Sequence, residues 1–360
     1  MLASKSHSSI SWIGSVQVCF LIAGGSVAGP LFDKYGSSLR QVIAVPGLMA
    51  VASTMMTSLC TEYYQFMLAQ GVLGGIASGM LFAPAMACVG QYFHNRRATA
   101  LGIAAAGSSL GGVIIPITLS QMLQRKSLGF GWSVRVVGFI ILVMMIVAIL
   151  TVKERLPPRR GKVLVLSAFT CTTYAFTTLG LFLMNMGIFT PFFYLPQSAQ
   201  ERGMQYDLAS HLLAVLNSAS VLGRVLAGLI ADRLGRFNTL AINGMCSGLL
   251  LLCWPAISSN VSIFIFSSLY GFFSGGVVSL FPPCVAQVTP HTNQIGAYLG
   301  MAMVVSGIAG LVGSPIFGTL LERSRAFTQP GIFSGVVMLC GVCFIIMARL
   351  RQVSKVVAFA

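Results

Sequence analysis

Charge is what this chain has least of. Only 8% of its 360 residues are charged, against 56% hydrophobic, whereas a soluble domain carries about a quarter charged residues. Acids are scarcest, at 7 Asp and Glu against 22 Lys and Arg. A surface made for water is therefore excluded over most of the chain. The formal charge of +15 does not point to nucleic acid, because the basic residues stand in short clusters between apolar runs, as orientation signals do. Paired intramembrane carboxylates, an HExxH pair, a Ser/His/Asp arrangement and a phosphate-binding glycine loop are all missing, so neither an enzyme nor a cofactor is expected. The nine cysteines show no disulfide spacing. Cys340-Gly-Val-Cys343 lies in an apolar run without His or acidic neighbours, which favours helix packing over a metal. The first apolar run has the length of a full span, so it does not read as a cleavable signal peptide.

What is present is a succession of apolar runs near the roughly 20 residues a membrane helix needs. They fall near 10–32, 40–60, 65–91, 98–122, 132–152, 174–196, 208–231, 237–257, 261–288, 293–320 and 328–348. Many of the 39 glycines stand at small-xxx-small spacing, as at Gly71/Gly75/Gly79 and Gly271/Gly275, where helix backbones approach closely. Fourteen Lys and Arg lie in one set of loops and the C-terminal tail, and seven on the opposite side. The richer side is assigned to the cytoplasm, with the C-terminus inside and the N-terminus outside. The partner that composition implies is the lipid bilayer, and the plasma membrane is the default location.

Two charged turns share one offset. Gly29-Pro-Leu-Phe-Asp-Lys-Tyr-Gly36 is echoed by Gly228-Leu-Ile-Ala-Asp-Arg-Leu-Gly235, with Asp33 and Asp232 standing 199 residues apart. The same offset relates Leu81-Phe82 to Leu280-Phe281, Pro84 to Pro283, Gly111 to Gly310 and Pro116 to Pro315. One offset held across several helix pairs implies two parallel repeats. The expected division is an N-terminal half over 1–152, a basic cytoplasmic linker over 153–173 and a C-terminal half over 174–360. The span at 174–196 has no partner within the sequence, so the first half is expected to hold five helices, lacking the first, and the second half six.

The charged turns resemble the cytoplasmic loop signature of the major facilitator superfamily. Its second copy runs from Gly223 through Asp232-Arg233-Leu-Gly235-Arg236, while the first copy has Ser37 in place of the final basic residue. Tyr92-Phe-His-Asn-Arg96-Arg97 leading into Ala-Ala-Ala-Gly-Ser-Ser, with Ser11-Trp-Ile-Gly-Ser15 and Gly187-Ile-Phe-Thr-Pro-Phe-Phe-Tyr-Leu-Pro196, is similar to the fungal branch of the monocarboxylate-porter family. The resemblance implies an all-α major facilitator fold and alternating access. It makes Asp33, Asp232, Arg233 and Arg236 conformational latches, with Arg96 or Arg97 a partner for Asp33. Two departures stand out: the Asp/Glu-Gly-x-x-Trp stretch of the family's first helix is absent, and Ser220 occupies the place of an aspartate four residues before the arginine. Proton symport through that charge relay is therefore not implied. Apart from the resemblance, an aspartate in such a turn can also simply cap the next helix.

Arg224 is the one charge well inside a span, and intramembrane charges mark functional sites by default. Asn217, Ser220 and Arg224 share a helix face by their spacing, and Asn185 and Tyr194 join them as cavity candidates. A guanidinium can hold a carboxylate through two parallel hydrogen bonds, which suits a small organic anion. A snorkelling side chain is the other reading, since Arg224 lies about 12 Å along the helix from Asp232. Asp207 and His211 form either a proton-sensitive pair or a solvated rim. The function expected is secondary transport of small organic acids, with export of a fungal secondary metabolite as the close variant. The alternative of another class is a truncated membrane protein that does not transport.

Overall fold

The computed structural model describes residues 7–28, 39–93, 96–124, 129–152, 165–290, 294–324 and 326–353. Among these there are helices and turns and no strand. Among the described residues nine helices are long and apolar enough to cross a membrane, and two shorter apolar ones, Trp12–Ala28 and Val42–Thr57, bring the total to the eleven expected. In chain order they are α1 (His7–Ala23, followed by a further turn), α2 (Leu39–Thr57) and α3, which begins at Tyr63, is π-helical over Met67–Gly74 and continues as Gly75–Tyr92. Then come α4 (Arg97–Gln124), α5 (Gly129–Thr151), α6 (Thr172–Ile188), α7 (Thr190–Glu201), α8 (Leu212–Leu234), α9 (Arg236–Cys253), α10 (Asn260–Val288), α11 (Ile295–Ser324) and α12 (Thr328–Val353). The starts of α9, α10, α11 and α12 follow those of α2, α3, α4 and α5 by 199 residues to within two, the same offset as the charged turns.

The span expected over 174–196 is broken. Its lower part, α6, ends at Ile188, and Pro191 opens α7. Proline has no N–H and its ring clashes with the carbonyl one turn back, so a helix cannot pass through it undisturbed. A freed carbonyl in a membrane needs a replacement donor, and the Tyr270 hydroxyl of α10 supplies one, donating to the Ile188 carbonyl at 2.7 Å. Thr190 and Ser334 pair their hydroxyls at 3.3 Å beside it. Above the break, Trp254 stacks between Phe266 and Phe317, Phe266 stacks on Tyr270, and Tyr194 packs on Phe317. Arg202 closes this outer end. Its guanidinium donates to the carbonyls of Trp254, at 3.1 Å, and Ile257, in the turn that follows α9.

The last two spans are better enclosed than their counterparts 199 residues earlier. In α12, 44% of the apolar window is buried, against 17% in α5, and in α11 56% against 28% in α4. α6 lies against both α11 and α12. Among the described residues no helix takes the corresponding place against α4 and α5.

Close packing depends on glycine. A Cβ at Gly271 would land on the Leu216 carbonyl, and one at Gly223 on the Phe272 carbonyl, so α8 and α10 touch backbone to backbone. Gly107 differs, since a Cβ there meets nothing within 4 Å. Gly271→Ala or Gly223→Ala should therefore cost at least the ~1–3 kcal/mol of overpacking, lowering the unfolding midpoint of the purified protein in detergent, while Gly107→Ala leaves it unchanged. Equal midpoints for all three would contradict this packing.

Candidate functional site

The charged turn at the end of α8 reaches across to the start of α4. Gly235 has φ +92°, a conformation that L side chains rarely adopt, and this lets α8 stop at Leu234 and α9 start at Arg236. One turn earlier, the Asp232 carboxylate faces α4. It accepts from the Thr99 N–H at 2.9 Å, the Ala98 N–H at 3.2 Å and the Thr99 hydroxyl at 2.8 Å. The first N–H groups of a helix have no partner within it, and a negative charge there also meets the positive end of the helix dipole. The capping acid is thus supplied from another helix, 133 residues further along the chain.

Among the described residues the cations around it have no such partner. Arg96 and Arg233 are exposed. Arg97 and Arg236 stand close enough to repel one another, and the Arg97 Nε is buried without a hydrogen-bond partner. Asp33 and Lys34 lie outside the described residues, and so does the pairing of Asp33 with Arg96 or Arg97. Asp232 thus caps a helix, as such a turn can, but the helix it caps belongs to the other set of spans.

Moving up the same interface, α4 and α8 approach so closely that a Cβ at Gly102 would sit 2.5 Å from the Arg224 carbonyl, and one at Gly228 would sit 2.6 Å from that of Ala98. Arg224 is 8% exposed. Its Nη1 donates to the Ala105 carbonyl at 2.6 Å and the Ser108 hydroxyl at 2.5 Å, both on α4, and its Nε donates to Ser220 at 3.3 Å. Ser109 donates to the Ser220 hydroxyl at 3.2 Å. No carboxylate pairs with Arg224 among the described residues. The contact ends near Asn217, whose amide presses on Gly112 while its Nδ2 donates to the Leu213 carbonyl at 2.9 Å. From Ala98 to Gly112 is about 21 Å of helix, and this side of the interface is closed along that stretch, from the end that carries the charged turn. α1 and α11 close the other side, with Gly300 against Ser26 and Gly307 against Cys19 and Ala23.

Three of the five expected cavity residues, Asn217, Ser220 and Arg224, therefore meet at one interface. Asn185 is half-buried on α6 and spends its Nδ2 on the Leu181 carbonyl at 2.9 Å. Tyr194 is 3% exposed and belongs to the aromatic stack. Asp207 and His211 are both exposed, and the His211 ring nitrogen lies 2.6 Å from the Asp207 backbone carbonyl, not its carboxylate. Sequence reasoning missed Thr99, Ala105, Ser108 and Ser109. Their only signal was the run of small residues in α4 that faces Arg224.

The description of the Major Facilitator Superfamily matches residues 3–314. The chain belongs to the major facilitator superfamily. It is 49% identical over 340 residues to the aspyridones efflux protein apdF of Emericella nidulans, spanning 94% of this chain and 69% of that one. It is 40% identical over 359 residues to the agnestins efflux protein AgnL12 of Paecilomyces divaricatus, spanning 97% and 80%. Among solved structures, the human organic anion transporter MFSD10 shares the fold, with a TM-score of 0.73 over 93% of this chain and 83% of its own, at 15% identity. The protein is a multi-pass membrane transporter and not an enzyme.

The Asp232 latch is testable in this facilitator. A hydrogen bond to a charged group contributes about 1.5–3 kcal/mol, so Asp232→Ala should raise the cytoplasm-open population roughly tenfold or more. Spin labels at Arg96→Cys and Leu234→Cys would read this as a longer distance across the interface. An unchanged distance distribution would remove Asp232 as a latch.

Proposed function

We propose that this facilitator exports an acidic secondary metabolite of a fungal cell by alternating access, across the plasma membrane. The observation that carries the reading is the likeness, along nearly the whole chain, to efflux proteins named for aspyridones and agnestins. Arg224 supports an anionic substrate. A guanidinium buried at membrane depth with neutral acceptors alone has the charge and planar donor geometry for a carboxylate or an ionised enol. Asn217 and Ser220 would orient the rest of the molecule from the same helix face, with Asn185 and Tyr194 in reach of larger substrates. The exposed Arg96 and Arg233 at the cytoplasmic mouth would favour approach of an anion from inside.

A second reading, transport of small monocarboxylates, is favoured by the Tyr92–Gly111 stretch and the arginine at 224. The two readings part on substrate size. Right-side-out and inside-out vesicles from yeast expressing the protein should accumulate aspyridones only when inside-out if export is correct, and labelled lactate or benzoate if the monocarboxylate reading is correct. In either case Arg224→Gln should cut the rate for an anion by about tenfold or more, the value of one charge-assisted hydrogen bond. Undiminished transport by that variant would take Arg224 out of the site.

A further inference from the structure

The two hydrogen bonds of Arg224 to α4 depend on the contact between α4 and α8. Both of its α4 acceptors, the Ala105 carbonyl and the Ser108 hydroxyl, fall on a single nitrogen, Nη1. They reach it because Gly102 and Gly228 allow α4 and α8 to touch. When the cytoplasmic ends part, α4 carries both acceptors away, and α8 retains only the Ser220 hydroxyl. A buried guanidinium so stripped is costly. The position also adjoins open volume. Ser108 is exposed, and Gly111, three residues on and on the same face, would carry a Cβ that meets nothing within 4 Å.

We propose that Ser108 and the Ala105 carbonyl are internal competitors of an anionic substrate for Arg224, so that closing the cytoplasmic side and expelling the substrate are one step. This rests on the reading of Arg224 as an anion site. In the cytoplasm-open state a carboxylate or ionised enol takes the place of the two α4 acceptors on Nη1. As α4 returns, its hydroxyl and carbonyl reclaim that nitrogen, and the anion loses its strongest contact as the passage behind it shuts. Ser108 is then a positioning residue. It touches the arginine and sets how tightly the arginine holds an anion. The exchange involves no proton, in keeping with the absence of a carboxylate partner for Arg224 among the described residues.

The test is equilibrium binding of labelled benzoate, the simplest aromatic carboxylate, to the full chain in lipid nanodiscs. Ser108→Ala removes the one competitor that a substitution can delete, so benzoate should bind more tightly, by about tenfold or more, the worth of one hydrogen bond to a charged group. Ser108→Thr keeps the hydroxyl and should bind as the wild type does. Ser109→Ala, which removes a donor to Ser220 and not an acceptor for Arg224, should not tighten binding. A residue of merely structural importance would weaken binding when altered, not strengthen it. If Ser108→Ala binds no more tightly while Arg224→Gln binds more weakly, the competition is overturned and the anion site stands. If benzoate binding is undetectable in the wild type, or indifferent to Arg224→Gln, the anion site falls and the competition with it.

Discussion

The backbone contact between α4 and α8 is the constraint on which the site depends. Gly102 and Gly228 remove the side chains that would hold the helices apart. Only at that separation can Asp232 reach the free N–H groups of Ala98 and Thr99, and only there does Arg224 find the Ala105 carbonyl. A guanidinium 8% exposed would be untenable in an apolar setting without acceptors. Two glycines, one acid and one buried cation thus form a single linked arrangement.

That arrangement is balanced and not simply strong. Asp232 offers one negative charge to an inner surface that also holds Arg96, Arg97, Arg233 and Arg236, two of which repel one another. A richer supply of carboxylates would lock the cytoplasmic side, and none would leave it to drift apart. Alternating access needs two states within a few kcal/mol of each other, so that a ligand can shift their populations by its preference for one. Among the described residues Asp232 is the acid bonded across this interface, in keeping with the scarcity of acids in the composition.

The spans and the repeat were legible because both rest on long-range regularity. Hydropathy over some twenty residues located all eleven, and the offset of Asp33 from Asp232 reappears in the helix starts. The break between α6 and α7 was not legible, since 174–196 reads as one span, and nothing in the sequence singled out Tyr270 as its repair. The face shared by Asn217, Ser220 and Arg224 followed from helical spacing alone. What that face meets did not. Ser108, Ser109 and the Ala105 carbonyl are small or main-chain groups, chosen by where α4 lies and not by their chemistry. Tyr194 packs on Phe317, which stacks in turn on Trp254, a placement that its position at a span's polar end did not reveal. A pattern can say which way a side chain points, whereas its partner is decided by packing between helices far apart in sequence.

The two closed sides of the interface differ in what it costs to open them. Between α1 and α11 the contacts are glycine against small or apolar groups, Gly300 on Ser26, Gly307 on Cys19 and Ala23, and Gly310 on Val18. Parting them loses packing, which lipid or substrate of many shapes can partly restore. Between α4 and α8 the contacts are ionic or polar, from Asp232 at the inner end to Arg224 and the Ser109–Ser220 pair near mid-membrane. Parting those strands a cation that lipid cannot satisfy. On the proposed function, the apolar side would serve as a hinge open to varied substrates, while the polar side would open stably only with an anion in the place of α4. Selectivity for charge and tolerance of shape would then reside on opposite sides of the same passage.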